Sequence, residues 1–187
     1  MKKNIQICLG SLLLVLGSIF TACGPEARLD MVGMFAGTSP KIDERFEESK
    51  VYNDQHGFTT LQAPVDDYRV YVCTDTHVTK TQTRWTYFID TYRQDPLCPV
   101  AVHLGDIIDA QNYFDEMYSA YQAVPLNPAK KDTLMAVAGN HDIYFKQWPE
   151  YIKYFKTCYY YFIVETPSGK KDLFVVYDSA EIGRAHV

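Results

Sequence analysis

Cysteine is sparse in this chain: five residues in 187, scattered and without a Cys-x-x-Cys pair. That excludes a small disulfide-stapled scaffold and a thiolate zinc finger. Positive charge is in deficit as well, with 18 Lys and Arg against 23 Asp and Glu and a net charge of −5. No nucleic-acid-binding surface is evident, because a phosphate-backbone binder needs a basic face. No apolar run reaches the ~20 residues that a helix needs to span a bilayer. Internal repeats and low-complexity stretches are also missing, and the 47% hydrophobic content excludes a disordered tail. What is left is a globular chain of one domain, or a little more, at ~150 residues per domain.

The amino end reads as targeting, not fold. Lys2 and Lys3 precede a nearly uninterrupted apolar stretch from Leu9 to Phe20. It runs into Phe20-Thr21-Ala22-Cys23, which resembles the lipobox of bacterial lipoproteins. The resemblance implies a signal peptide over residues 1–22 and a diacylated Cys23 as the mature amino terminus. Lipid on Cys23 would anchor the protein to a membrane of the bacterial cell envelope without a transmembrane helix. Loss of Lys2 and Lys3 with the signal takes the net charge from −5 to −7.

Residues 23–67 read as a leader segment with one surface helix. Ser39-Pro40 offers a cap and first-turn pair, acidic residues follow, and Gly57 offers a stop. Its apolar positions are few. From Tyr68 the pattern alternates in the βαβ manner. Strands are expected at Val70–Thr74, Val100–Leu104 and Leu134–Ala138. Helices are expected at Thr81–Arg93, Tyr113–Val124 and Gln147–Lys156. Tyr159–Glu165 and Leu173–Tyr177 flank Pro167-Ser168-Gly169-Lys170 as a hairpin. The pattern predicts an α/β fold with a parallel or mixed sheet whose faces are covered. Cys73, inside an apolar run, is expected to be a buried free thiol.

Each of the first three strands ends in a polar cluster, where such sheets gather their ligand chemistry. They are Asp75-Thr76-His77, Gly105-Asp106-Ile107-Ile108-Asp109 and Gly139-Asn140-His141-Asp142. Any one of them also reads as a helix cap or a solvated turn. All three in order, each at a strand end, do not. Carboxylate, amide oxygen and imidazole together suit Mn, Fe, Zn or Mg rather than a copper–thiolate or iron–sulfur centre.

At these residues the sequence resembles the calcineurin-like metallophosphoesterases, over about Tyr68 to Ser179. The resemblance implies two packed mixed sheets flanked by helices, with two divalent metal ions at the strand ends. Asp75 and His77 would hold the first ion, Asp106 would bridge both, and Asn140 would hold the second. His141 would serve as general acid, with Asp142 orienting its imidazole. Asp109 would stand behind the ligands or in the turn itself. The implied reaction is hydrolysis of phosphate mono- or diesters by water activated between the two ions.

The family's carboxyl half brings further histidines, including a Gly-His-x-His pair, and this sequence has no such pair. His103, within a strand, is expected to be a packed histidine. Residues 181–187, Glu-Ile-Gly-Arg-Ala-His-Val, read as the translation of a sequencing adapter, so His186 is not counted as a ligand. Residues 68–180 are therefore expected to be the amino-terminal half of the domain, and inactive alone. The competing expectation is a non-catalytic envelope lipoprotein, in which a partial phosphoesterase fold and an aromatic surface rich in its 15 Tyr serve binding.

Overall fold

Three short runs rich in β-branched and apolar residues organise the site-bearing half. In the computed structural model, which describes residues 40–109 and 112–180, they form β2 (Val70–Cys73), β3 (Val100–His103) and β4 (Leu134–Ala136). These pair in parallel in the order β2-β3-β4. Parallel neighbours require crossovers, and α2 (Thr83–Gln94) and α3 (Phe114–Ala123) supply them. Trp85, Phe88, Ile89 and Tyr92 fall on one buried stripe of α2, at the spacing read from sequence. All four residues of β3 are buried, as a central strand covered on both faces should be. The third strand is two residues shorter than expected. Its chain turns at Val137 into the short α4 (Asn140–Ile143), a 3-10 turn (Tyr144–Lys146) and α5 (Trp148–Phe155).

The second sheet has the order β1-β5-β6. The expected hairpin is present as β5 (Tyr160–Glu165) and β6 (Lys171–Val176), paired antiparallel. Thr166 N–H donates to the Lys170 carbonyl at 2.9 Å to close its turn. The addition is β1 (Thr59–Gln62), which lies parallel to β5 and was not read from the sequence. Its four residues hold a single apolar side chain, Leu61, so no alternation signals it. Backbone pairing along β5 makes it a strand.

The two sheets face each other. Val100 and Val102 of β3 pack with Phe162 and Val164 of β5, and Val70, Met135, Tyr160, Phe174 and Val176 close around them. This is the mixed sandwich flanked by helices that the resemblance implied. The outer side of β6 presents Leu173 and Val175 to solvent, and Tyr177 just beyond the strand is exposed as well.

The leader's helix is α1 (Ile42–His56). Its cap is Lys41, whose N–H donates to Glu44 Oε2 at 3.0 Å, so Pro40 precedes the cap instead of filling the first turn. It ends at Gly57, φ 70°, as expected. With so few apolar positions, the helix is held by buried polar groups. Arg45, wholly buried, donates from Nε to Asp178 Oδ2 at 2.7 Å and from its other nitrogens to the Pro40 and Ala180 carbonyls. Ser49 meets Cys158 Sγ at 3.5 Å and accepts its backbone N–H at 3.2 Å. Helix α1 is thus tied to the segments that flank β5 and β6. Cys98 and Cys158 are buried, whereas Cys73 is only half-buried, because β2 is an edge strand. Among the described residues no helix is long and apolar enough to cross a membrane. Residues 1–22, Cys23 and residues 181–187 with His186 lie outside the described residues.

Candidate metal centre

Because β2, β3 and β4 run parallel, their following loops emerge at one edge and lace together. Asp75 N–H donates to the Gly105 carbonyl at 3.1 Å, His77 N–H to Asp106 at 3.1 Å, and Val78 N–H to Ile107 at 2.8 Å. This lacing holds three non-glycine residues in the left-handed region: Asp75 at φ 54°, His77 at 45° and Asp106 at 52°. Each costs about 1 kcal/mol that the cross-loop bonds must offset.

Two glycines let the second and third loops touch. A Cβ on Gly139 would fall 2.2 Å from Asp106 Oδ1 and 2.3 Å from its backbone nitrogen. On Gly105, at φ 96°, it would fall 2.6 Å from Gly139 nitrogen. The Gly-Asp and Gly-Asn steps read from sequence are therefore a contact between backbones, not only sharp turns.

The side chains follow from this lacing. Asp106 Oδ1 accepts the His141 N–H at 2.9 Å, which ties the third loop to the second. His77, Asp106 and His141 then converge, each with a donor atom within 4.8 Å of the others. The two imidazoles meet edge to face with centroids 4.6 Å apart. Two imidazoles and a carboxylate form a donor set that suits a divalent transition metal or zinc. Asp75 lies beside this group, its Oδ1 3.6 Å from His77 Nε2. Its Oδ2 accepts the Thr74 hydroxyl at 2.6 Å. Asn140 is half-buried at the start of α4, next to His141. Of the residues singled out in the sequence, His77, Asp106 and His141 come together, while Asp75 and Asn140 border them. His141, expected as an acid and not as a ligand, contributes one of the three converging donor atoms.

The expected role of Asp142 needs correction. Its carboxylate does not face the His141 ring. It is fully buried and accepts three backbone N–H groups: Gly139 at 2.9 Å, Ile107 at 3.0 Å and Ile108 at 3.2 Å. Burial pushes its carboxyl up to about 7 and the Asp106 charge adds to this, while the three N–H donors pull the other way. Asp142 is a clamp on the loops. The carboxylate beside the imidazole is Asp109, with Oδ1 3.5 Å from His141 Nδ1.

Two supporting residues carried no signal in the sequence. Gln147, buried on the turn after α4, donates from Nε2 to the His141 carbonyl at 3.3 Å. Thr76 is the unspecified middle residue of Asp-x-His, yet its side chain is buried between loops. His103 is packed as expected, with burial pushing its imidazole down to about 3.

Residues 68–184, more than half of the chain, match the family model for calcineurin-like phosphoesterases. No curated protein and no solved structure matches the chain. The match spans all three strand-end loops and the parallel β2-β3-β4 sheet that carries them, and leaves out α1 and β1. The chain belongs to the calcineurin-like phosphoesterase family.

Proposed function

We propose that this protein hydrolyses phosphate mono- or diesters with two divalent cations, Mn, Fe, Zn or Mg, held at the strand ends. The observation that carries the reading is the convergence of His77, Asp106 and His141 within 4.8 Å on three different loops, which brings two expected ligands and the expected acid to one point. In this reading Asp75, His77 and Asp106 hold one cation, and Asp106 and Asn140 the other. When bound, such cations supply Lewis-acid stabilisation of phosphoryl charge and lower the pKa of an attacking water. The chain's own groups do the rest. His141 donates a proton to the leaving alkoxide, an imidazole being the ordinary acid near neutral pH. Asp109, beside Nδ1, sets the ring so that Nε2 faces the ester. Asp142 holds the second and third loops in register through its three N–H bonds.

The second cation has only Asp106 and Asn140 from these residues, and a two-donor site binds weakly. The 187-residue chain is therefore expected to show little or no turnover by itself. The test is Mn2+ titration with metal analysis, beside hydrolysis of a chromogenic phosphodiester. Wild type should bind Mn2+ with at most trace, chelator-sensitive hydrolysis, and Asp106→Asn should lose the Mn2+ binding. Equal binding and turnover in the two proteins would overturn the reading. Two tightly held ions with fast turnover would overturn the weak second site.

The lipobox resemblance supports a lipid anchor on Cys23 and residence in the bacterial cell envelope. Labelled palmitate should enter wild type but not Cys23→Ser, and equal labelling of both would refute the anchor.

A further inference from the structure

We propose that His103 is a positioning residue of the metal centre, acting through Thr76 to hold the turn bearing Asp75 and His77 against the Asp106 loop. The inference rests on the metal-dependent reading of this site.

His103 is the last residue of β3, and its side chain is fully buried. The imidazole lies against Trp85 and Phe88, with ring centroids at 5.7 and 6.0 Å. Its Nε2 is 3.0 Å from Thr76 Oγ1, and that oxygen is 2.9 Å from the Ile107 carbonyl. A carbonyl only accepts, so the assignment that makes both contacts hydrogen bonds gives the single Thr76 hydroxyl hydrogen to Ile107. Nε2 must then carry the proton that reaches Thr76. The order is fixed: His103 donates to Thr76, and Thr76 donates to Ile107.

This tautomer leaves Nδ1 as a bare lone pair in an apolar pocket, with no hydrogen-bond partner among the described residues. Packing does not account for that arrangement. A leucine or phenylalanine would fill comparable space with no unpaired nitrogen, and burying such an atom is a cost. What the imidazole adds is one N–H at the height of the Thr76 hydroxyl.

The relay joins three segments from beneath: the end of β3, the first turn and the second loop. Above it the same segments are laced by the Asp75, His77 and Val78 N–H bonds. Thr76 sits between two residues at positive φ, Asp75 and His77, in a turn that relaxes unless it is tied on both sides. With the relay intact, the positions of His77 and Asp106 are set jointly. Without it the turn is held from one side only.

The experiment uses the full chain with Mn2+ alone as affinity probe and Co2+ absorption as a reporter of ligand geometry. Thr76→Val keeps the volume and removes the relay; Thr76→Ser restores the hydroxyl. His103→Leu removes the donor, whereas His103→Gln returns an N–H near the Nε2 position. We expect Thr76→Val and His103→Leu to lose about tenfold in Mn2+ affinity and to shift the Co2+ spectrum. The Ser and Gln variants should stay near wild type in both. Should His103→Leu fail to fold, the Thr76 pair decides, with unfolding midpoints confirming that both are native. Wild-type affinity and spectrum in folded Thr76→Val, while Asp106→Asn loses Mn2+, would overturn the relay alone. Equal Mn2+ binding by wild type and Asp106→Asn would overturn the metal reading and the relay together.

Discussion

The strand-end edge of the parallel sheet and the region where α1 meets β5 and β6 both bury polar groups, but in opposite ways. At the edge, carboxylate, imidazole and hydroxyl are spent on nearby backbone: Asp142 on three N–H groups, and His103 through Thr76 on one carbonyl. Around α1, a guanidinium and a carboxylate 133 residues apart meet each other directly, and the remaining guanidinium nitrogens take two backbone carbonyls. The first arrangement ties the loops to one another and leaves His77 and His141 part-exposed. The second attaches an otherwise polar helix and shapes nothing beyond it. One region is built for geometry, the other for attachment. Substitutions should therefore separate stability from metal binding.

The largest effect on stability belongs to the attachment. Arg45 and Asp178 are both wholly buried, so removing one partner strands a charge out of water. Arg45→Ala should cost about 3–5 kcal/mol in denaturant unfolding. The paired change Arg45→Met with Asp178→Leu should recover most of that, since apolar residues of similar volume need no compensation. Mn2+ affinity of the folded double variant should match wild type. A large loss of affinity there would mean that the two regions are coupled and that the contrast fails.

The next effect reverses the pattern. Gly139→Ala places a methyl group 2.2 Å from Asp106 Oδ1 and 2.3 Å from Asp106 nitrogen, one of them backbone that cannot swing aside. Overpacking of this kind costs about 1–3 kcal/mol. Asp106 must move, and Mn2+ affinity should fall by about two orders of magnitude. Unchanged affinity would show that the glycine crossing does not set the Asp106 position.

Much of this was legible in the sequence, and the exceptions have physical causes. The three strands, the hairpin and the two crossover helices declare themselves by periodicity. The candidate donor residues declare themselves because they punctuate strand ends in a fixed order. β1 does not, since its pattern carries one apolar residue and its partner lies about a hundred positions away. The exchanged roles of Asp142 and Asp109 have a geometric origin. Adjacent helical residues point about 100° apart, so sequence neighbours do not face each other. The carboxylate beside the His141 ring had to come from another loop. Thr76 had no signal, because its function depends on His103 and Ile107 meeting across the sheet.

A third prediction uses pH to isolate one group at the edge. Burial holds the His103 imidazole at about 3, against 6.5 for the free group. Between those values the unfolded chain binds the proton more readily. The contribution is thus complete above pH 6.5 and lost as pH falls towards 3, by about 1.4 kcal/mol per unit. Asp142, raised to about 7, acts with the opposite sign: the folded state holds its proton more tightly, so stability falls as pH rises towards 7. Subtracting the curve of His103→Gln removes that opposing slope. The difference between the two proteins should grow steadily from pH 6.5 down to pH 4. Parallel curves would show that His103 is protonated or solvated in the folded protein.

The smallest expected effect separates glycines under constraint from glycines that only turn. Gly169, in the β5–β6 hairpin, has φ 86°, and a Cβ there would meet nothing within 4 Å. Gly105 has a similar φ of 96°, but its Cβ would meet Gly139 at 2.6 Å. Gly169→Ala therefore pays only for left-handed backbone, about 1 kcal/mol, with no change in Mn2+ affinity. Gly105→Ala carries the same backbone cost and adds a clash between the two loops that bear Asp106 and His141. Its loss of stability should exceed that of Gly169→Ala, and its loss of Mn2+ affinity should exceed its loss of stability. If the two substitutions prove equal in both measurements, the close approach at the strand ends is not what holds the donors together.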